Sequence, residues 1–112
     1  MLNNLSYKIF KSAKEKGLYD RFYDVLTVMN EENKKEVETA FMCQLLLLVV
    51  AEVAEATEAL RDNNKAAFRE EFADIMIMLF SIAGYAAIDL DRHVSKKMAA
   101  NESRPDRHGK SF

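Results

Sequence analysis

The sequence predicts an all-α fold, and three observations support this class. Its 112 residues include three glycines and one proline, too few turn-forming residues for a fold of many strands. Apolar residues recur at helical spacing, and the longest such stretch contains neither glycine nor proline. The length suits one domain. We therefore expect a single helical domain over residues 1–112, with an irregular tail over about residues 102–112.

Five helices are expected, and four of them form the core of a bundle. The first ends near Gly17, and the others run over Asp20–Met29, about Glu31 to Arg61, about Lys65 to Ala87, and Leu90 to about Asn101. Asn30 and Asp89 stand where N-caps are needed. The two long helices are separated only by residues 62–64, which predicts a central αα-hairpin in a four-helix bundle.

Composition argues against several classes of protein. The net charge of −2 gives no basic field for nucleic acid or for an anionic membrane. The apolar runs Leu45–Ala51 and Ile75–Ile88 are shorter than the roughly 20 residues that a spanning helix needs. There is one cysteine, and the first residues do not resemble a signal peptide. We expect a cytoplasmic protein that binds neither nucleic acid nor membrane.

Acidic residues occur where the core helices should be apolar. Glu52 and Glu55 are three residues apart on one helix, and Glu71 and Asp74 are three apart on the next. Glu55 precedes Asn63 by as many residues as Glu71 follows it, so both lie about 12 Å from the turn at a rise of 1.5 Å per residue. Four carboxylates are therefore predicted to converge at one level of the hairpin.

Four carboxylates at one place need compensating positive charge. A hard divalent cation with oxygen ligands would supply it, and Mg²⁺, with Mn²⁺ as a substitute, would leave positions for water and phosphate. No Glu-x-x-His occurs, which argues against a ferritin-like di-iron centre. The alternative is that all four acids are solvated on exposed helix faces.

The acidic motif and the segments around it resemble the MazG-like, all-α nucleoside triphosphate pyrophosphohydrolases. The resemblance rests on Glu52-x-x-Glu55 followed after fifteen residues by Glu71-x-x-Asp74, and it covers nearly the whole chain. The matching segments are Lys16-Gly17-Leu18-Tyr19-Asp20, Ile88-Asp89-Leu90, Lys97-Met98-x-x-Asn101-x-x-Arg104-Pro105 and His108-Gly109-Lys110.

This resemblance implies hydrolysis of a nucleoside triphosphate between its α and β phosphates, giving a monophosphate and pyrophosphate. Glu52, Glu55, Glu71 and Asp74 would be metal ligands, and Glu52 or Glu55 would also orient or deprotonate the attacking water. Many family members carry a further glutamate directly before the first of these acids, whereas this chain has Ala51.

Candidate substrate contacts also follow from the resemblance. Lys97 and Asn101 share a helix face and would contact phosphate and sugar, and Arg104 would join them. Arg107, His108 and Lys110 could close over phosphate. Tyr19, with Phe10 and Phe22, could stack on the base, although core packing is the simpler role for aromatic residues.

Two other functions are compatible with the sequence. A binding or regulatory protein could keep the scaffold and the metal site without turnover, which Ala51 favours. A purely structural bundle would leave its acids solvated. The segment Ile75–Ile88 is apolar on every face of a helix, which predicts a homo-oligomer, most simply a dimer.

Overall fold

The computed structural model describes residues 1–105, and this part of the chain folds into five helices without a strand. The helices are α1 (Leu2–Glu15), α2 (Asp20–Val28), α3 (Glu31–Arg61), α4 (Lys65–Tyr85) and α5 (Leu90–Glu102). The predicted all-helical class is therefore confirmed. α4 ends at Tyr85 rather than at Ala87, because Ala87 adopts φ = 53° and leaves the helical conformation.

Side chains cap the N-termini of the three later helices. Asn30, Asn64 and Asp89 each accept a hydrogen bond from the backbone N–H three residues further on, at 3.1, 3.1 and 3.2 Å. Such a bond satisfies one of the free N–H groups in the first turn of a helix. The caps predicted at Asn30 and Asp89 are confirmed.

The connection between α3 and α4 is a tight turn over residues 62–64. Asn63 adopts φ = 55°, a left-handed conformation that asparagine tolerates better than most residues. The Asn64 N–H donates to the Ala59 carbonyl at 2.9 Å, which closes the end of α3. The chain thereby reverses direction, and α3 and α4 pack together as a helical hairpin.

The other helices pack against this hairpin at the end away from its turn. α1 lies along α4, α2 contacts α3, and α5 contacts α1. Six aromatic rings join α1, α2, α3, α4 and the α1–α2 turn in a cluster of edge and stacked contacts. They are Phe10, Tyr19, Phe22, Tyr23, Phe41 and Tyr85. The closest pair, Phe22 and Phe41, stacks with ring centroids 3.9 Å apart, so this cluster fixes α2 on α3.

α5 is attached through reciprocal caps with α1. The Asp91 carboxylate accepts hydrogen bonds from the backbone N–H groups of Leu2 and Asn3 at 2.8 and 3.2 Å. In return the Asn3 amide oxygen accepts from the Asp91 N–H at 3.1 Å. The pKa of the Asp91 carboxyl is lowered, chiefly by the bond from Leu2. Each helix thus satisfies backbone donors of the other.

The hairpin has two unlike faces. α1 and α2 cover one, which we call the covered face, at the end away from the turn. Among the helices of residues 1–105, none covers the centre of the opposite surface, which we call the open face. It is formed by exposed or half-exposed apolar side chains, namely Leu46, Val50, Val53, Leu60, Phe72, Met76 and Leu79. Leu46 of α3 lines one apolar groove with Met76 and Leu79 of α4, which shows that both helices contribute to this surface.

α3 is apolar enough for a membrane span by length and composition. Within residues 1–105 it is the one helix that passes this test alone, while α4 and α5 pass it only as a pair bent by 115°. Only 11 % of its most apolar 18-residue stretch is buried in the single chain. A core helix would be mostly buried, so within residues 1–105 most of the surface of α3 has no covering partner.

Gly84 permits the closest approach of α1 to α4. A Cβ atom at this position would lie 2.5 Å from Phe10 Cβ and 2.7 Å from the Ser6 carbonyl oxygen. We predict that Gly84→Ala destabilises the protein by about 1–3 kcal/mol, because overpacking forces the helices apart. Without crowding, alanine would stabilise the helix by about 1 kcal/mol relative to glycine. A loss of stability in this variant therefore indicates that α1 and α4 are in close contact.

Urea unfolding followed by circular dichroism measures this free energy. Ala73→Gly, at an exposed position of the same helix, calibrates the helix-propensity effect where nothing is crowded. A Gly84→Ala variant as stable as the wild type, or more stable, would show that α1 and α4 are not in close contact here.

Candidate metal centre

The acidic residues of α3 and α4 meet on the covered face, between its helices and the hairpin turn. One carboxylate oxygen from each of Glu52, Glu55 and Glu71 lies within 4.8 Å of the other two. Glu52 and Glu71 are half-buried, whereas Glu55 is exposed. The predicted convergence of the two motifs is thus right for these three residues.

Asp74 does not join this group. It follows Glu71 by one turn of α4 and is exposed, and its side chain is one methylene shorter than glutamate. The three-residue spacing correctly places it on the flank of the helix next to Glu71. The expectation that all four carboxylates converge is therefore corrected to three, with Asp74 adjacent.

The three acids interact unfavourably when all are ionised. The pKa of Glu71 is raised from its ordinary 4.5 to about 7, and the largest cause is the hydrogen bond that the protonated carboxyl can share with Glu52. Burial and the negative charges of Glu55 and Glu52 raise it further. Glu71 Oε2 is buried without a hydrogen-bond partner in residues 1–105. The centre therefore lacks positive charge.

These residues fit a divalent cation. The donors are carboxylate oxygens alone, which suits Mg²⁺ or Mn²⁺ better than a softer metal. A buried carboxylate oxygen with no partner is costly, and a cation would satisfy it. Neither histidine nor cysteine joins the described cluster, and Cys43 is exposed elsewhere on α3. The candidate ligands are Glu52, Glu55 and Glu71, with Asp74 within one helical turn.

Tyr19 has a structural role here. It is completely buried, and its hydroxyl lies 2.8 Å from the Ser81 hydroxyl. Burial raises the pKa of this phenol. Because the ring has no exposed surface on which a base could stack, we withdraw Tyr19 as a substrate contact. Phe22 is also buried and Phe10 is half-buried, so all three aromatic residues pack in the core.

The basic and amide residues predicted to contact substrate lie on or just beyond α5. Lys97, Asn101 and Arg104 are exposed, and none belongs to the carboxylate cluster. Lys97 and Asn101 continue the face of α5 that bears Leu90 and Val94, which line the apolar groove with α4. Their roles stay predictions. Arg107, His108 and Lys110 lie outside the described residues.

A cavity between α1, the α1–α2 turn and α4 was not predicted from the sequence. Its volume is about 420 Å³, and its lining includes Lys16, Leu18, Ile77 and Met78. The part of the sequence that points to this cavity is the Lys16-Gly17-Leu18 segment, for which the sequence alone indicates no chemical role. Gly17 adopts φ = 89°, so the glycine marks a turn that few other residues would form.

Comparison with known proteins assigns the family. The model of the MazG nucleotide pyrophosphohydrolase domain matches residues 42–108, which include the carboxylate cluster, α4 and α5. The match covers more than half of the chain. No curated protein and no solved structure matches it.

The raised pKa of Glu71 predicts a pH-dependent stability of the metal-free protein. A carboxyl whose pKa is higher in the folded than in the unfolded chain loses stabilising free energy as the pH rises from about 4.5 through about 7. Glu71→Gln keeps the neutral form at every pH. We expect the variant to match the wild type near pH 5 and to be more stable at pH 8.

Urea unfolding with a metal chelator at the two pH values measures the difference. Glu70→Gln, on the exposed neighbouring residue, serves as the control and should show no such pH-dependent gain. An equal effect of Glu71→Gln at both pH values would show that repulsion among these carboxylates does not strain the fold.

Proposed function

The chain belongs to the MazG nucleotide pyrophosphohydrolase family, and we propose that it is a divalent-metal-dependent hydrolase of nucleoside triphosphates. The reaction converts the substrate to a nucleoside monophosphate and pyrophosphate, as housekeeping of the cytoplasmic nucleotide pool. The cluster of Glu52, Glu55 and Glu71 is the observation that carries this proposal, because it combines oxygen donors with a deficit of positive charge.

The cleavage is a hydrolysis of a phosphoanhydride. The water oxygen forms a bond to one of the two phosphorus atoms of the α–β anhydride, the bond from that phosphorus to the bridging oxygen breaks, and the other phosphate group leaves with the bond electrons. Glu52, Glu55 and Glu71 would hold the cation, with Asp74 within one helical turn of them. When bound, Mg²⁺ would polarise phosphoryl oxygens and lower the pKa of water.

The residues of the cluster differ in their exposure to water and in their pKa, and therefore in the proton transfers that they can perform. Glu55 is exposed and can reach solvent water, so it is our choice for the residue that orients water and accepts its proton. Glu71 is the acid that retains a proton up to about pH 7 in the metal-free protein, and it must lose this proton to serve as an ionised ligand. Lys97, Asn101 and Arg104 would bind phosphate and sugar.

A second candidate function is a catalytically weak protein that binds metal and nucleotide. It is favoured by Ala51, where many family members have glutamate next to the first metal ligand. Incubating the protein and Mg²⁺ with a panel of deoxynucleoside triphosphates and measuring pyrophosphate release separates the two functions. The same panel reports the preferred base.

The open face supports a homodimeric form. Soluble monomers rarely expose contiguous apolar patches beyond a few hundred Å². Val50 and Leu60 are 61 % and 56 % exposed, and Phe72 is 53 % exposed on the facing helix. Two copies joined through their open faces would bring α3 and α4 of each chain into one four-helix bundle, an isologous interface.

A second copy is a better partner for this face than lipid. α3 carries Glu52 and Glu55 within its length, and carboxylates are costly in the hydrocarbon region of a bilayer. These acids lie on the covered face of the hairpin, so pairing through the open face keeps them accessible to water and substrate. Lipid around the whole helix would bury them.

The metal-binding role predicts the effect of removing one charged oxygen. Glu55→Gln and Asp74→Asn should each lower the turnover rate roughly 100-fold or more and weaken Mg²⁺ binding, while the protein stays folded. Pyrophosphate release and calorimetric titration with Mg²⁺ measure the two effects. Glu58→Gln, on an exposed acid that lies 3.8 Å from Arg61, is the matched control. Normal turnover in both variants would remove these residues from the site.

The dimer predicts a change of mass when charge is placed on the open face. Val50→Asp should shift the protein from a dimer to a folded species of 12.8 kDa in sedimentation at micromolar concentration. Val28→Asp, at the exposed end of α2, should stay dimeric. A wild-type protein that is folded, active and monomeric under these conditions would contradict the dimer.

A further inference from the structure

α5 is held on the rest of the fold differently from the other helices. Of the five helices in residues 1–105, it is the only one that contains no buried residue. Leu90 and Val94 line the apolar groove beside α3 and α4, yet Val94 remains 38 % exposed. All residues over 95–102 are exposed. Burial of apolar surface therefore contributes little to the docking of α5.

Hydrogen bonds at the start of α5 hold it instead. Asn3 of α1 donates from its side-chain amide to the Asp89 carboxylate at 2.9 Å and accepts the Asp91 N–H on its amide oxygen. The Asp91 carboxylate accepts the N–H groups of Leu2 and Asn3, which have no partner within α1. The Asn3 amide lowers the pKa of Asp89, and the Leu2 N–H lowers the pKa of Asp91, so both carboxylates accept these bonds in their ionised form. We call these bonds of Asn3, Asp89 and Asp91 the cross-caps.

The backbone between α4 and α5 does not favour the docked position by itself. Ala87 adopts φ = 53°, a left-handed conformation that is unfavourable for alanine, and the two helices are bent by 115° at this connection. An unfavourable conformation of this kind persists only where surrounding bonds maintain it. The Ile88 N–H donates to the Ala83 carbonyl at 3.0 Å and so fixes the end of α4. The direction of α5 beyond Ile88 therefore depends on the cross-caps.

We propose that α5 is a hinged arm, which the cross-caps hold in a docked state and which leaves the hairpin as one unit when they open. Because the bonds are reciprocal, the first turn of α1 opens together with α5. The released arm loses its helical structure, because an isolated helix of 13 residues is marginal in water. Release removes the wall that Leu90 and Val94 give to the apolar groove, and it carries away Lys97 and Asn101, the predicted contacts to phosphate and sugar. The equilibrium involves neither metal nor nucleotide, so it does not depend on the proposed function.

Native-state hydrogen exchange, measured at single amides by NMR, reports this opening. In the wild type, the amides over 94–101 should exchange faster than those of Val49 and Ile82, which lie in the buried core, and more slowly than in an unfolded peptide. Asn3→Ala removes two of the cross-caps and should raise the exchange rates over 94–101 about tenfold. The amides of Val49 and Ile82 should keep their wild-type rates.

A second variant tests the reciprocal effect on α1. Asp91→Ala removes the carboxylate that accepts the free N–H groups at the start of α1. The reporter is the Leu5 amide, which donates to the Met1 carbonyl at 3.2 Å in the first turn. Its exchange rate should also rise about tenfold, although the substitution is on α5.

Asn4→Ala is the matched control for Asn3→Ala. Asn4 is exposed on α1 and takes no part in the cross-caps, and its replacement brings the same gain in helix propensity. The amides over 94–101 should exchange at the wild-type rate in this variant. Circular dichroism confirms that each variant is folded.

Four results would overturn the proposal. Wild-type rates over 94–101 in Asn3→Ala, or at Leu5 in Asp91→Ala, would show that the cross-caps do not hold the arm. Equal exchange of α5 and of the core amides in the wild type would show that α5 does not open as a separate unit. Exchange of α5 as fast as in an unfolded peptide would show that it is not docked. An equal rise at the core amides in the variants would show that the substitutions weaken the whole fold instead.

Discussion

The antiparallel register of α3 and α4 is the constraint on which the rest of the molecule depends. Residues 62–64 close the hairpin, with Asn63 in a left-handed conformation and Asn64 capping α4. This turn places Glu55 and Glu71 at equal distances from the reversal. Insertion of one residue in the turn would rotate the following helix by about 100° relative to its partner, and Glu71 would then leave the carboxylate cluster.

Because of this register, the carboxylate cluster lies toward one end of the hairpin and the side chains that pack the helices together lie toward the other. The carboxylates lie between the helices of the covered face and the turn, where charge can reach solvent. The aromatic cluster and the contact of Gly84 with α1 lie toward the other end of the hairpin. The hydrogen bond with Glu52, the burial and the neighbouring negative charges that together raise the pKa of Glu71 to about 7 are therefore tolerated, because the residues that join the helices are elsewhere.

Local rules were sufficient to predict much of this arrangement. Helical periodicity and the capping residues Asn30 and Asp89 predicted the helices, and counting residues from the turn predicted that Glu55 meets Glu71. The burial of single side chains was harder to predict. Asp74 shares the flank of Glu71, but its short side chain stays in solvent, and Tyr19 is buried because tertiary packing surrounds its turn. The cavity beside Lys16 needs two distant segments to meet, which no local pattern contains.

The two faces of the hairpin would also let so short a chain combine the proposed assembly with the proposed chemistry. An anionic cluster in a self-complementary interface would meet its own copy across the two-fold axis, and like charges would oppose association. Here the acids belong to the covered face, while the open face carries neutral apolar side chains such as Val50 and Leu46. The pairing proposed above would therefore leave the candidate metal centre outside the interface. Substitutions on the open face should change the mass of the assembly more than its affinity for metal. Substitutions in the carboxylate cluster should change the affinity for metal more than the mass of the assembly.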